Sequence, residues 1–295
     1  PSRQAMLSNA EALVARFQSM DQRMSQIREG VNTQIASSVD EINSLASQVA
    51  EMNHQILVME SSVAGQPAND MLDQRDELIN QLSKIINTNT VKQSDGSVNV
   101  YVGNGGALVV GAQALSLQAI NSPNDPGNLT VGLVSRNNTI QIPERQITGG
   151  TLGGVLSFRS VTLDSAQNAL GRIAVTLAQT FNAQHQLGMD LNGVMGENFF
   201  TLPSPKIISA SSNNPASSIA AGISDYNVLT TSDYQVSYDG TNYTLSRLSN
   251  NTSVSTPVAP SGASPLTLDG ISVTAATILP NERFRIQPTI NGAKD

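Results

Sequence analysis

Residues 12–56, ALVARFQSMDQRMSQIREGVNTQIASSVDEINSLASQVAEMNHQI, decide the fold. Apolar side chains recur there at steps of three and four: Leu13, Phe17, Met20, Met24, Ile27, Val31, Ile35, Val39, Ile42, Leu45, Val49, Met52 and Ile56. That spacing puts every one of them on a single helix face. Ile27, Val31, Ile35 and Val39 are separated by three fours in a row, a stutter that relaxes a supercoil locally. The pattern extends from about Gln4 to about Ser62 with no proline, and Gly30 is its one weak point, costing roughly 1 kcal/mol relative to alanine. A helix of that length would be a rod on the order of 85 Å long. Ordinary globular helices average roughly a dozen residues. Such a rod needs partners along its length, which predicts an elongated antiparallel helical bundle of coiled-coil character.

Working outward, Gly65 and Pro67 supply a stop near Val63–Pro67. Asn69 or Asp70 then caps a second helix from Met71 to about Asn87, with Asp73, Asp76 and Glu77 near its positive end. From Val91 the period changes to two, and strand candidates alternate with Asp95-Gly96, Gly103–Gly106, Gly111 and Asn124–Gly127. Two β-hairpins standing out from the bundle are expected here, closed by Pro143. Helical period returns at Leu152, Leu156, Leu163, Ala166, Leu170, Ile173, Leu177 and Phe181, predicting a third long helix from about Thr151 to about Gln186. Gly149-Gly150 and Gly153-Gly154 would permit close backbone approach at its start. Beyond Asn198, short alternating strands such as Tyr234–Tyr238 and Tyr243–Ser246, with turns at Asp239-Gly240 and Asp269-Gly270, read as a separate all-β domain. The expected organisation is therefore multidomain α and β. Residues 1–91 and 149–198 supply a bundle of three long helices, 92–148 a β-hairpin insertion and 199–295 an outer all-β domain.

Composition narrows the function. Aromatic residues make up 4% of the chain, so its cores must be built from Leu, Ile, Val, Met and Ala. The formal charge is −7, and residues 1–91 hold most of it, with six Lys/Arg against eleven Asp/Glu. Nucleic-acid binding calls for a basic footprint that this chain lacks. Cysteine is absent, which excludes disulfides, thiolate catalysis and cysteine-ligated zinc. No apolar run of about 18 residues spans a membrane, and no secretory signal is visible. The chain opens with Pro1 instead of a methionine, so a trimmed fragment is expected.

No motif carries chemistry. Asp73, Asp76 and Glu77 share a helix face, but an acidic first turn is what any helix N-terminus favours. Catalysis would need carboxylates opposed across a cleft. His54 and His185 have no partner at metal-ligand spacing, and no Gly-x-Ser-x-Gly elbow appears. Asp190-Leu191-Asn192-Gly193 fails as a calcium loop, because Met195 stands where that loop needs glycine. Gly103-Asn104-Gly105-Gly106 lacks the Lys-Ser/Thr of a phosphate loop and reads as a hairpin turn. The reading assigns no catalytic, cofactor-binding or metal residue.

Three segments in order do carry a resemblance. Asn69-Asp70-Met71-Leu72-Asp73-Gln74-Arg75-Asp76-Glu77-Leu78, then Gly149 through Ser160 (GGTLGGVLSFRS), then Asn182-Ala183-Gln184-His185 with Gly188, Asp190, Asn192-Gly193, Gly196 and Phe199-Phe200, resemble the bacterial flagellar hook-associated protein 1 (FlgK) family along the whole chain. The resemblance implies a flagellin-like D1 helical core, a D2-like outer β domain, and polymerising N- and C-terminal helical segments outside these residues. It also implies an exported, non-enzymatic building block that leaves the cell by the flagellar type III route and helps join hook to filament. Implied partners are the flagellar hook protein, the second junction protein (hook-associated protein 3), further copies of the chain in the junction, and an export chaperone acting on the C-terminal segment. No nucleic acid, membrane or cofactor is implied, and the fragment alone is expected to be a monomer. Two rival readings are an adhesin with a helical stalk and β head, and a peptidoglycan hydrolase using two carboxylates.

Overall fold

The computed structural model describes residues 2–62, 69–103, 105–135, 138–190 and 192–294. A long N-terminal helical region leads into a β-rich C-terminal region. In chain order the elements are α1 (Ser2–Ser62), α2 (Asn69–Ile85), β1 (Thr88–Lys92), β2 (Val98–Val102), β3 (Gly106–Val110), β4 (Gln113–Ala114), β5 (Leu117–Ser122), β6 (Asp125–Ser135) and β7 (Asn138–Gln141). Then come α3 (Gly150–Ser157), a π-helical segment Phe158–Leu163 and α4 (Asp164–Gln186). The β-rich region holds β8 (Lys206–Ser209), β9 (Ser218–Ile223), β10 (Tyr234–Tyr238), β11 (Tyr243–Arg247), β12 (Ser253–Thr256), β13 (Leu266–Leu268), β14 (Ile271–Thr277) and β15 (Arg283–Gln287). The expected helix stop at Val63–Pro67 lies outside the described residues.

Packing divides the chain into two compact units. One comprises residues 28–122 and 127–161, the other residues 1–27, 123–126 and 162–295. This line differs from the boundaries read in the sequence, because α1 and the third helical stretch each contribute to both units.

In the first unit the seam of α1 is buried from Val31 through Val49, together with Leu82, Ile85 and Ile86 after it in the chain and Leu152 and Leu156 of α3. The antiparallel sheet β1-β2-β3-β4 and the sheet β5-β6-β7 complete that core with Val98, Val100, Val102, Leu108, Val109, Leu117 and Val131. The β excursion therefore does not stand out as two free hairpins. Its strands carry an apolar face that needs burial, and α1 supplies the other half of that core. Gly150, at φ +63°, lies directly against the Ile85 carbonyl, a close approach that a side chain would block.

In the second unit the seam residues Leu13, Met20 and Ile27 of α1 are exposed. Two antiparallel sheets, β12-β11-β10-β15-β8 and β13-β14-β9, enclose Tyr234, Val236, Leu245, Ile271, Val273, Phe284 and Ile286, and Val175 of α4 belongs to the same core. The buried face of α4 is Gln167, Asn168, Gly171, Ala174, Val175 and Asn182, while Ile173 and Leu177 are exposed and Leu170 is half-buried. The face expected from the sequence is thus displaced. A π turn carries more residues than an α turn, so the six-residue segment after α3 interrupts the 3.6-residue period on which that face was read. The third helical stretch spans Gly150–Gln186 as expected in extent, but as two α-helices with different buried faces.

Candidate functional site

The acidic residues of the first signature are solvent-facing: Asp70, Asp73, Asp76 and Glu77 are all exposed along α2. A shallow groove in the first unit places Glu51 of α1 and Glu77 of α2 in one lining. Each is exposed and already accepts a hydrogen bond from a glutamine on its own helix, Gln55 at 2.8 Å and Gln81 at 3.0 Å. A general acid needs desolvation that exposed carboxylates do not receive. In the second unit the groove lined by Leu13, Val14, Phe17, Ala174, Leu177 and Phe200 contains no titratable side chain. Among the described residues no three His, Cys, Asp or Glu side chains are grouped to hold a metal ion, and no helix is long and apolar enough to cross a membrane.

Of the remaining motif residues, His185 and Asp190 brace local turns. His54 is exposed, and His185 places Nδ1 2.7 Å from the Glu197 carbonyl. The Asp190 carboxylate accepts backbone N–H bonds from Val194 and Asn192, both at 2.8 Å, and these hold its pKa below the ordinary value. It is a turn-former, and Leu191 beside it lies outside the described residues. Gly103 and Gly105 both adopt positive φ in the β2–β3 turn, while Asn104 is not described.

The residues with the most partners are ones that pattern reading passed over. Three asparagines of α1 grip strand backbone in the first unit. Asn32 accepts from Leu129 N–H at 3.0 Å and donates to the Gly127 carbonyl at 3.1 Å. Asn43 makes the same paired contact with Leu117. Asn53 accepts from Val98 N–H at 3.1 Å and donates to the carbonyls of Val98 and Gly111 at 2.9 and 2.7 Å. Asn32 and Asn43 are eleven residues apart, close to three full turns, so they share one face. Arg75, within the first signature, is 3% exposed and reaches Asn53 Oδ1 at 3.4 Å and the Gly96 carbonyl at 2.9 Å. Arg159, within the second, donates to the Leu129 carbonyl and to Glu144, both at 2.6 Å. Arg159 is the one charge in the stretch Gly149–Ser160, and that was its available signal; Arg75, among acidic neighbours, gave none.

The second unit has its own polar hub. The Asp233 carboxylate accepts from Arg285 Nε and Nη2 at 2.9 and 2.6 Å, from Gln287 at 2.9 Å and from Asn168 of α4 at 2.9 Å. Asp125 stands 3.6 Å from the same guanidinium. Burial opposes the Arg285 charge, but Asp233 outweighs it and the pKa is held above the ordinary value. Thr289 donates to the Asn168 carbonyl at 3.0 Å, and its own carbonyl lies directly against Gly171. A second cluster joins Tyr234, Thr230, Asp269 and Arg247. Both hubs tie chain segments together with satisfied charges, and neither pairs a nucleophile with a base.

The family model described as "Flagellar hook-associated protein FlgK helical domain" matches residues 1–200, and "Flagellar hook-associated protein 1, D2-like domain" matches residues 208–288. Flagellar hook-associated protein 1 of Salmonella typhimurium is 38% identical over 297 residues, covering 100% of this chain and 53% of the relative. That of Escherichia coli strain K12 is 36% identical over 289 residues, covering 97% and 52%. The structure of the flagellar hook junction protein FlgK from Burkholderia pseudomallei superposes with a TM-score of 0.90 at 34% identity, covering 99% of this chain and 53% of that one. The chain spans about half the length of the curated relatives it matches.

Proposed function

This chain belongs to the flagellar hook-associated protein 1 (FlgK) family, and from that membership we propose that it acts as a non-enzymatic structural subunit of the bacterial flagellum at the hook–filament junction. The observation that carries the proposal is the match along the entire chain, in fold as well as sequence, to a flagellar hook junction protein. The internal chemistry agrees with a mechanical role, since the buried charges and amides brace backbone.

The finer assignments belong to the same proposal. Residues 1–91 and 149–198 form a D1-type bundle of three long helices, 92–148 an insertion upon it, and 199–295 an outer D2-like region facing the medium. Partners are the hook protein, hook-associated protein 3 and further copies of the chain. Export follows the flagellar type III route with a chaperone, and the product is extracellular. The test is electron microscopy of cells lacking the gene. Hooks without attached filaments are expected, with filaments restored by the full-length gene. Filaments that still attach to hooks in its absence would overturn the proposal.

A further inference from the structure

The π-helical segment Phe158–Leu163 holds an exposed link between two buried anchors. Before the link, Arg159 is 2% exposed and fixed in the first unit by the Leu129 carbonyl and the Glu144 carboxylate. After it, Leu163 is buried, and Gln167 and Asn168 donate to Asp21 at 3.2 Å and Asp233 at 2.9 Å in the second unit. Between the anchors Ser160, Val161 and Thr162 are all exposed, Val161 at 67%. The line between the two units falls inside this link, between Val161 and Thr162. Residues 157–162 read Ser-Phe-Arg-Ser-Val-Thr, and all but the arginine are weak helix formers. A stretch with few buried apolar contacts opens most readily.

The first unit ends beside the link in a clamp. Asn128 Oδ1 accepts from Arg28 at 2.8 Å, the Gly127 carbonyl from Asn32 at 3.1 Å and the Leu129 carbonyl from Arg159. The chain passes between the units after Ile27, after Ser122, after Pro126 and after Val161. Three of those four passages therefore leave the first unit from residues tied to, or part of, one short stretch, 127–129. Through the first passage α1 runs as an unbroken α-helix, which curves only gently. Any flexing of α1 must be matched in the other helical passage. The π segment can supply that slack, because α and π ladders take different numbers of residues per turn.

We propose that residues 160–162 are a hinge, which exchanges π for α hydrogen bonding as the two units flex about the clamp. Hinges are commonly a few residues at the end of an element that absorb the backbone change while the flanking parts stay packed. The proposal rests on packing alone and stands whichever assembly the protein joins.

The test is double electron–electron resonance on the full-length protein, with spin labels at the exposed Glu41 of the first unit and Thr241 of the second. The controls are pairs within one unit, Glu41 with Gln81 and Thr180 with Thr241, all exposed. The distance distribution across the units should be at least twice as broad as either control. Deleting Val161, which removes the surplus residue of the π turn, should narrow it to the control width. Hydrogen exchange in the parent should run at least tenfold faster at residues 160–162 than at residues 170–180, and this reading holds even where the deletion variant does not fold. Equal widths for all three pairs, uniform exchange along the stretch, or a folded deletion variant that keeps the broad distribution would each overturn the hinge.

Discussion

Asn43 on α1 and Leu117 at the start of β5 face each other through two hydrogen bonds, Leu117 N–H donating to Oδ1 at 2.8 Å and Nδ2 donating to the Leu117 carbonyl at 2.9 Å. The amide mimics a strand neighbour and closes an edge that the sheet leaves open. Asn53, 1% exposed, makes the same paired contact with Val98, at the start of the interior strand β2, and adds the Gly111 carbonyl. Removing such a group strands buried backbone donors and acceptors, at about 1–3 kcal/mol for each group left unsatisfied. Asn53→Ala is expected to lose about 3 kcal/mol in urea unfolding and Asn43→Ala, at a half-buried site, about 1–2 kcal/mol. Losses below about 0.5 kcal/mol at both would mean that water replaces the amides freely.

The displaced face of α4 predicts unequal effects from equal-sized truncations. Leu82, fully buried, should lose about 2–5 kcal/mol on Leu82→Ala. Ile173→Ala, at an exposed position, should lie within about 0.5 kcal/mol of the parent. Gly171→Ala would drive a methyl group into the Thr289 carbonyl and should destabilise more than Ile173→Ala. The reverse order, measured by chemical denaturation, would restore the face expected from an uninterrupted helical period.

Tyr234 sets an alkaline limit. Burial, helped by Asp269 and countered by the Thr230 hydroxyl, pushes its pKa up to about 12 from the ordinary 10.0. The unfolded chain therefore loses this proton first. The contribution is intact below pH 10 and is lost as pH rises from 10 towards about 12. Tyr234→Phe should flatten that limb of the stability profile, and an unchanged slope would show that another group titrates there. On the acid side, Asp95, held low chiefly by the Ser97 hydroxyl, and Asp239, held low by the Asn242 N–H, contribute stability present above their ordinary value of 3.8. That stability should fade as pH drops through their lowered folded values.

The two cores predict which pieces fold alone. All core residues from Val31 to Leu156 lie within the first unit, so a fragment of residues 28–161 should unfold cooperatively in urea. Replacing residues 199–295 by a Gly/Ser linker should instead uncover Val175 and strip Asn168 of Asp233, giving increased binding of a hydrophobic dye. A cooperative, dye-free helical protein in the linker variant would show that α4 needs no β partner.

From residues alone came the extent of α1, the second helix, the strands at Tyr234–Tyr238 and Tyr243–Ser246 of the β-rich region and the turns at Asp239-Gly240 and Asp269-Gly270, together with the family resemblance. Each rests on local physics: period, glycine and proline punctuation, and side-chain turn chemistry act within a few residues of one another. Tertiary structure alone decided which stretch of the α1 seam is buried, because Leu13, Met20 and Ile27 carry the same period as Val31 to Val49 and differ only in what packs on them. It also decided the face of α4, since the π segment at Phe158–Leu163 breaks a register that the apolar spacing continues through. The braces Asn43, Asn53, Arg75, Asn168 and Asp233 were invisible for the same reason. A buried polar residue is stable only beside its partner, and these partners lie from about twenty to more than seventy positions away in the chain.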